Sequence, residues 1–169
     1  MDLDSLSESQ DNYELKKLDF PHSLVKRGGL KAQDLLVLLK ELHQKLKELE
    51  QGAVAQESLL NVAKELTHAQ ILKNSNKTVT AIAACCLADI LRLYAPEAPY
   101  SNVELRKIFA FFVSNLSHFG KTDNDAFQYH FYLLESLATV KSFIIISDLD
   151  NSDDIVIPVF DDFFRAAAK

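Results

Sequence analysis

The sequence predicts an all-α protein built of stacked antiparallel helix pairs, and three observations carry that prediction. From Leu30 onward, apolar residues recur at steps of three and four through one stretch after another. Only four glycines and four prolines interrupt 169 residues that are 48% apolar, so helices have few breakers to stop them. Finally, two helix pairs, 57–94 and 101–147, repeat at about 44 residues, the spacing of HEAT or armadillo units that bury their faces by stacking. The fold class expected is therefore a HEAT-repeat-like α-solenoid.

Each element follows from its own residues. Leu35, Leu39, Leu42, Leu46 and Leu49 make one apolar stripe. The stripe also has heptad spacing, but it ends within about two heptads at Gly52, so docking onto the next helices is favoured over a coiled coil. A second helical stretch, 57–73, has Leu59, Ala63, Leu66 and Ile71 as its core, and Asn74-Ser75-Asn76 breaks it and caps the next helix. Helix 77–94 has the cleanest pattern, with Val79, Ile82, Ala83, Cys86, Leu87, Ile90, Leu91 and Tyr94 on one wide buried face.

Ser101-Asn102-Val103-Glu104 is a capping box that opens a helix with Leu105, Ile108, Phe109, Phe112, Val113 and Leu116 inside and Gly120 after it. A longer helix, 125–147, lines one face with Phe127, Phe131, Leu134 and Ala138 and another with Leu133, Leu137, Val140 and Ile144. Both faces should then meet neighbours. A last element carries Val156, Val159, Phe160, Phe163 and Phe164. Ending on those phenylalanines instead of a polar cap predicts a piece of a longer solenoid, although Ala166-Ala167-Ala168 reads equally as an added linker.

Ahead of the helices, residues 1–28 read as an acidic, largely flexible tail and linker, and 29–169 as the helical domain. Leu15, Leu18 and Phe20 are expected to form a short turn or helix before Pro21, and Gly28-Gly29 a flexible break. The net charge of −6 is unevenly spread. Five acidic groups fall in residues 1–15, whereas residues 16–47 hold eight Lys/Arg against three Asp/Glu. An acidic whole argues against broad nucleic-acid affinity, which needs cations to neutralise phosphates. The basic stretch reads as a solvated helix face. No apolar run is long enough to span a bilayer, and the acidic start Met1-Asp2-Leu3-Asp4 lacks a signal core. An intracellular protein is expected.

Residues for catalysis or metal binding do not assemble in the sequence. Cys85 and Cys86 are adjacent on a helix, where their side chains diverge by about 100°, and read as half-buried packing residues with no disulfide framework or zinc spacing. His22, His43, His68, His118 and His130 are scattered and read as surface or supporting residues. Asp148-Leu149-Asp150-Asn151-Ser152-Asp153 fails as a calcium loop because Asp153 and Val159 stand where glycine and glutamate are needed. It reads instead as negative charge at the start of the last helix. No enzyme, cofactor or metal is expected.

The most informative segment is where helix 77–94 runs into Ala95-Pro96-Glu97-Ala98-Pro99-Tyr100. The prolines lack amide donors and push each preceding alanine out of the α region. The helix should end near Tyr94, followed by a stiff polyproline-like corner with free carbonyls. Such a pre-ordered corner loses little entropy on binding. Tyr94 and Tyr100 are expected to offer flat faces with a hydroxyl, and Glu97 a charge to select Arg or Lys on a ligand. The competing reading is a linker that only sets a helix crossing angle.

Ala95-Pro96-Glu97-Ala98-Pro99, with Cys85-Cys86-Leu87-Ala88-Asp89-Ile90 leading into it, closely resembles the N-terminal region of the cohesin-associated family named for precocious dissociation of sisters. Phe131-Tyr132-Leu133-Leu134-Glu135 and Val140-Lys141-Ser142 extend the likeness, which covers roughly residues 55–165. The resemblance implies a curved HEAT-repeat protein of the nucleus and chromatin that regulates sister-chromatid cohesion. It also implies that this segment docks short tyrosine-containing motifs of the wings-apart-like release factor, haspin kinase or sororin-like proteins. Carried over, the binding residues are Ala95, Pro96, Glu97, Ala98 and Pro99, with Tyr94 and Tyr100 as adjacent positions and Arg92 added from its expected exposed face. Tyr129 and Tyr132 are candidate walls, core packing being the alternative for one of them. Kleisin contacts and an inositol-polyphosphate pocket belong, by the same resemblance, to later repeats. The alternative function is a purely structural helical scaffold, or a self-association module using Leu35 to Leu49.

Overall fold

The computed structural model describes residues 13–118 and 124–139. They form six α-helices and one 3-10 turn: α1 Ala32–Lys47, the 3-10 turn Gln56–Leu59, α2 Leu60–Leu66, α3 Ala69–Leu72, α4 Lys77–Tyr94, α5 Asn102–Leu116 and α6 Asn124–Thr139. An isolated bridge, Lys16 to Val54, is the sole β-pairing among the described residues.

Helix α4 is the axis of the molecule. The eight residues that the sequence assigned to its inner face are buried, and so are Ala81, Ala84, Cys85, Ala88, Asp89 and Leu93 on its other sides. An α-helix apolar all round must be enclosed, and neighbours on several sides do so. Helices α1 and α6 flank it, while α2, α3 and α5 pack on the remaining faces. Cys86 Sγ reaches the Leu39 carbonyl at 3.8 Å, His43 Nδ1 meets Asp89 Oδ2 at 3.1 Å, and Arg92 reaches the Leu46 carbonyl at 3.0 Å. Partner numbers rise together along both helices, so α1 and α4 run parallel. Cys85 to the Tyr129 carbonyl and Tyr132 to Asp89 set α6 parallel to α4 in the same way.

These links join residues 43 to 47 positions apart. That is the repeat expected from sequence, now seen as three stacked parallel helices with the connecting helices returning between them.

The apolar stripe of α1 is consumed in this packing. Leu35, Leu39, Leu42 and Leu46 are at most 2% exposed and Leu49 is 7% exposed. Self-association through Leu35 to Leu49 therefore loses its surface, because the stripe already faces α4.

Several local expectations need correction. Stretch 57–73 is three short pieces: Thr67 closes α2, and the His68 side chain caps α3 by accepting from the Gln70 amide at 3.1 Å. Residues 15–20 form no helix. Lys16 exchanges backbone hydrogen bonds with Ala53 and Ala55, the Leu18 amide donates to Ser58 Oγ, and the Leu24 amide donates to Glu65. Leu24 is 1% exposed, so this part of the supposed linker belongs to the packed body. Gly28 and Gly29 do turn the chain with φ of 84° and 80°, a region open to glycine without strain.

The Asn76 side chain caps α4 through the Thr78 and Val79 amides, and Ser101 and Glu104 complete the expected capping box on α5. On α6, Leu133 and Leu137 are buried, but Phe127 and Phe131 are 45% and 49% exposed. Of the stripe Phe127, Phe131, Leu134 and Ala138, expected to meet a neighbour, Leu134 is half-buried against the core, but Phe127, Phe131 and Ala138 face outward. Val140 to Ile146, the acidic run from Asp148 and the final element lie outside the described residues.

Truncating the enclosed helix face should dominate stability. Leu39→Ala is expected to cost about 2–5 kcal/mol, whereas Val37→Ala on the 65%-exposed side of α1 should stay within about 0.5 kcal/mol. Urea unfolding of both variants checks this.

Candidate docking site

Helix α4 ends at Tyr94 as expected, and Ala95 follows with φ −52° and ψ 140°. The Ala95–Pro96 peptide bond is cis. The Glu97 amide then donates to the Tyr94 carbonyl at 3.0 Å, and the Gln51 side-chain amide donates to the Ala95 carbonyl. The segment is thus a hydrogen-bonded turn and not a polyproline run, which has no internal hydrogen bonds, and these two carbonyls are not free.

The tyrosines differ most from expectation. Tyr94 is 8% exposed, and its hydroxyl donates to the Gln56 carbonyl at 2.7 Å. Tyr100 is half-buried, and its hydroxyl donates to the Ala63 carbonyl at 2.8 Å. Burial, with the Glu104 charge and Tyr94 adding, pushes the Tyr100 phenol far above its ordinary pKa, so it stays protonated as a donor. Both rings are anchors. They pin the corner to the 3-10 turn and α2 instead of offering faces to solvent.

Arg92 is corrected in the same sense. Its guanidinium donates to the Leu49 carbonyl at 2.9 Å and the Leu46 carbonyl at 3.0 Å, and lies 3.5 Å from Asp89. It satisfies carbonyls at the end of α1 that the helix itself cannot and joins α1 to α4.

Pro96 and Glu97 are exposed at the tip, and Ala95, Ala98 and Pro99 are half-buried beside them. Glu97 has no ion-pair partner among the described residues. The corner is therefore a rigid apolar knuckle carrying one unpaired carboxylate. Exposed Leu60 on α2 and Val103 in the first turn of α5 add apolar surface on the helices that hold it. Sequence reading did not select these two, although their place outside the apolar stripes marks them as outward-facing.

Beneath the corner, the completely buried Asp89 gathers three groups. Tyr132 donates to Oδ1 at 2.7 Å, His43 Nδ1 lies 3.1 Å from Oδ2, Arg92 approaches Oδ1, and the Tyr132 and Tyr129 rings meet the His43 edge at 4.6 and 6.1 Å. Burial and the Asp89 charge raise the Tyr132 phenol. His43 is thus a core residue and not a surface one, and Tyr132 is tied to Asp89 instead of forming an open wall.

Cys85 and Cys86 are fully buried instead of half-buried, and desolvation, with Asp89 adding, raises both thiols well above their usual value. No group of three or more metal-ligating side chains occurs among the described residues, and no described helix is long and apolar enough to cross a membrane.

Three parallel helices stacked at this spacing, with antiparallel helices returning between them, define a HEAT-repeat α-solenoid. The profile of the family described as "Sister chromatid cohesion protein PDS5 protein" matches residues 33–169, and the chain belongs to that family. It is 33% identical over 150 residues to sister chromatid cohesion protein PDS5 of Saccharomyces cerevisiae, covering 88% of this chain and 12% of the yeast protein. The human relative, PDS5 homolog A, is 44% identical over 106 residues, 62% of this chain and 8% of its own.

A solved chain described as "Structure of the Pds5-Scc1 complex and implications for cohesin function" superposes with a TM-score of 0.79 at 32% identity. The match covers 86% of this chain and 22% of that one. The chain thus spans a small part of the relatives it matches.

Two outcomes follow from the anchors and thiols. Tyr94→Phe and Tyr100→Phe should each lower unfolding free energy by about 0.5–1.5 kcal/mol, the worth of one hydrogen bond, as read by denaturant titration. Cys85 and Cys86 should not react with a thiol reagent in the native protein and should react fully in denaturant, as followed by absorbance.

Proposed function

We propose that this chain is a non-enzymatic docking module of a cohesin regulator, in which Ala95, Pro96, Glu97, Ala98 and Pro99 receive short linear motifs. The partners we propose are motifs of the wings-apart-like release factor, haspin kinase or sororin-like proteins, in the nucleus and on chromatin. Cohesin itself is engaged through repeats outside this chain. Membership of a sister-chromatid cohesion family supports the biological setting, as does the solved complex of a relative with Scc1.

The observation that carries the reading is the exposed Pro96-Glu97 tip held rigid by hydrogen bonds from Tyr94, Tyr100 and Gln51. A pre-ordered apolar surface loses little entropy on association. The unpaired Glu97 carboxylate selects a motif that carries Arg or Lys next to its apolar anchor. Tyr94, Tyr100 and Arg92 position the corner from behind, so ligand contact passes to the tip residues.

Fluorescence titration with motif peptides tests this against a Pro96→Ala/Glu97→Lys double variant of unchanged helicity. The variant should bind at least about tenfold more weakly, since one lost charge-assisted contact and one lost apolar contact together exceed about 1.4 kcal/mol. Equal affinity in parent and variant removes the corner from the binding surface.

A further inference from the structure

At the opposite end of α4, about 25 Å from the corner by helix rise, a cavity of about 90 Å³ lies among α4, α5 and α6. Lys77, Thr80, Ser114, Asn115, His118 and His130 line it, and its described lining contains no carboxylate. We propose that this cavity is an oxyanion site that takes a phosphoryl group.

The strongest sign is His130. It is 2% exposed, it lines the cavity, and its Nδ1 has no hydrogen-bond partner among the described residues. Buried polar atoms are almost always paired, so an unpartnered ring nitrogen on a residue that lines a cavity is open to a ligand atom placed there. Desolvation, with His118 adding, lowers the His130 pKa. A neutral ring protonated on Nδ1 still donates one hydrogen bond to an oxyanion.

The electrostatics point the same way. Lys77 is the first residue of α4, where the positive end of the helix dipole already favours an anion, and no ion pair engages it among the described residues. His118 uses Nδ1 on the Ser114 carbonyl at 2.7 Å, which orients the ring at the cavity wall. The Thr80 hydroxyl donates to the Lys77 carbonyl at 3.1 Å, which leaves the Ser114 hydroxyl as the one that can donate to a phosphate oxygen. In a chain of net charge −6, a cavity lined by one lysine and two histidines, with no carboxylate in its described lining, departs from the average surface. A volume of about 90 Å³ exceeds the roughly 10–15 Å³ a single water needs and admits one tetrahedral group.

Titration of the 169-residue chain with inorganic phosphate, and separately with a phosphoserine peptide, at constant ionic strength tests the assignment by amide NMR. Saturable shifts should centre on Lys77, Thr80, Ser114, His118 and His130. Lys77→Met, an exposed change that leaves the core intact, and His130→Phe should each weaken binding at least about tenfold, while Lys107→Met should leave it unchanged. Tighter binding of the peptide than of free phosphate assigns the group to a phosphorylated chain, and the reverse assigns it to the free ion. Shifts scattered over surface lysines, or full binding retained in Lys77→Met, overturn the proposal.

Discussion

Enclosure of α4 from Val79 to Tyr94 is the constraint on which the remaining architecture depends. Apart from Asp89 and Arg92, this stretch carries apolar or small side chains, including Ala81, Ala84, Cys85 and Ala88 on the flank that a simple amphipathic reading leaves free. Small residues let neighbouring backbones come close, and the two cysteines, about 100° apart on the helix, reach carbonyls of α6 and α1. The segment from residue 16 to 25 and helix α2 close the structure further along. A helix enclosed in this way has no stable form outside the stack, so the repeats fold as neighbours or not at all.

Asp89 gives that enclosure its register. A carboxylate with no solvent exposure is costly unless fully paired, and the pairing here comes from three helices: His43 from α1, Arg92 from α4 and Tyr132 from α6. A slip of any helix by one turn would strand the charge. Apolar packing alone tolerates such slips better, because leucine and alanine faces are nearly interchangeable. Arg92 also caps the end of α1, so the same cluster connects directly to the residues that launch the corner.

The corner inherits its rigidity from this base. Tyr94 and Tyr100 reach back to backbone carbonyls of the 3-10 turn and α2, leaving Pro96 and Glu97 at the tip. The division of labour is physical. A tyrosine whose hydroxyl meets a buried carbonyl gains a partner there that solvent exposure would forfeit. A proline and a glutamate, by contrast, have little to gain from burial at that position. The proposed docking chemistry and the proposed oxyanion cavity therefore sit at the two ends of one helix.

Much of this was legible in the sequence. Periodicity located α1, α4 and α5, Asn76 and Ser101 announced their caps, and Pro96 marked the end of α4, because each of these signals is local. The repeat near 44 residues was also visible and reappears as the spacing of cross-helix hydrogen bonds. What the tertiary structure alone decided are the matters that depend on distant partners. The inward turn of Tyr94 and Tyr100 depends on carbonyls at Gln56 and Ala63. The burial of His43 depends on Asp89, the docking of residues 16–25 on Ala53 and Glu65, and the outward setting of Phe131 on which face of α6 meets α4. A side chain's own pattern tells which residues can be buried, but only the neighbours brought together by folding settle which polar groups find partners.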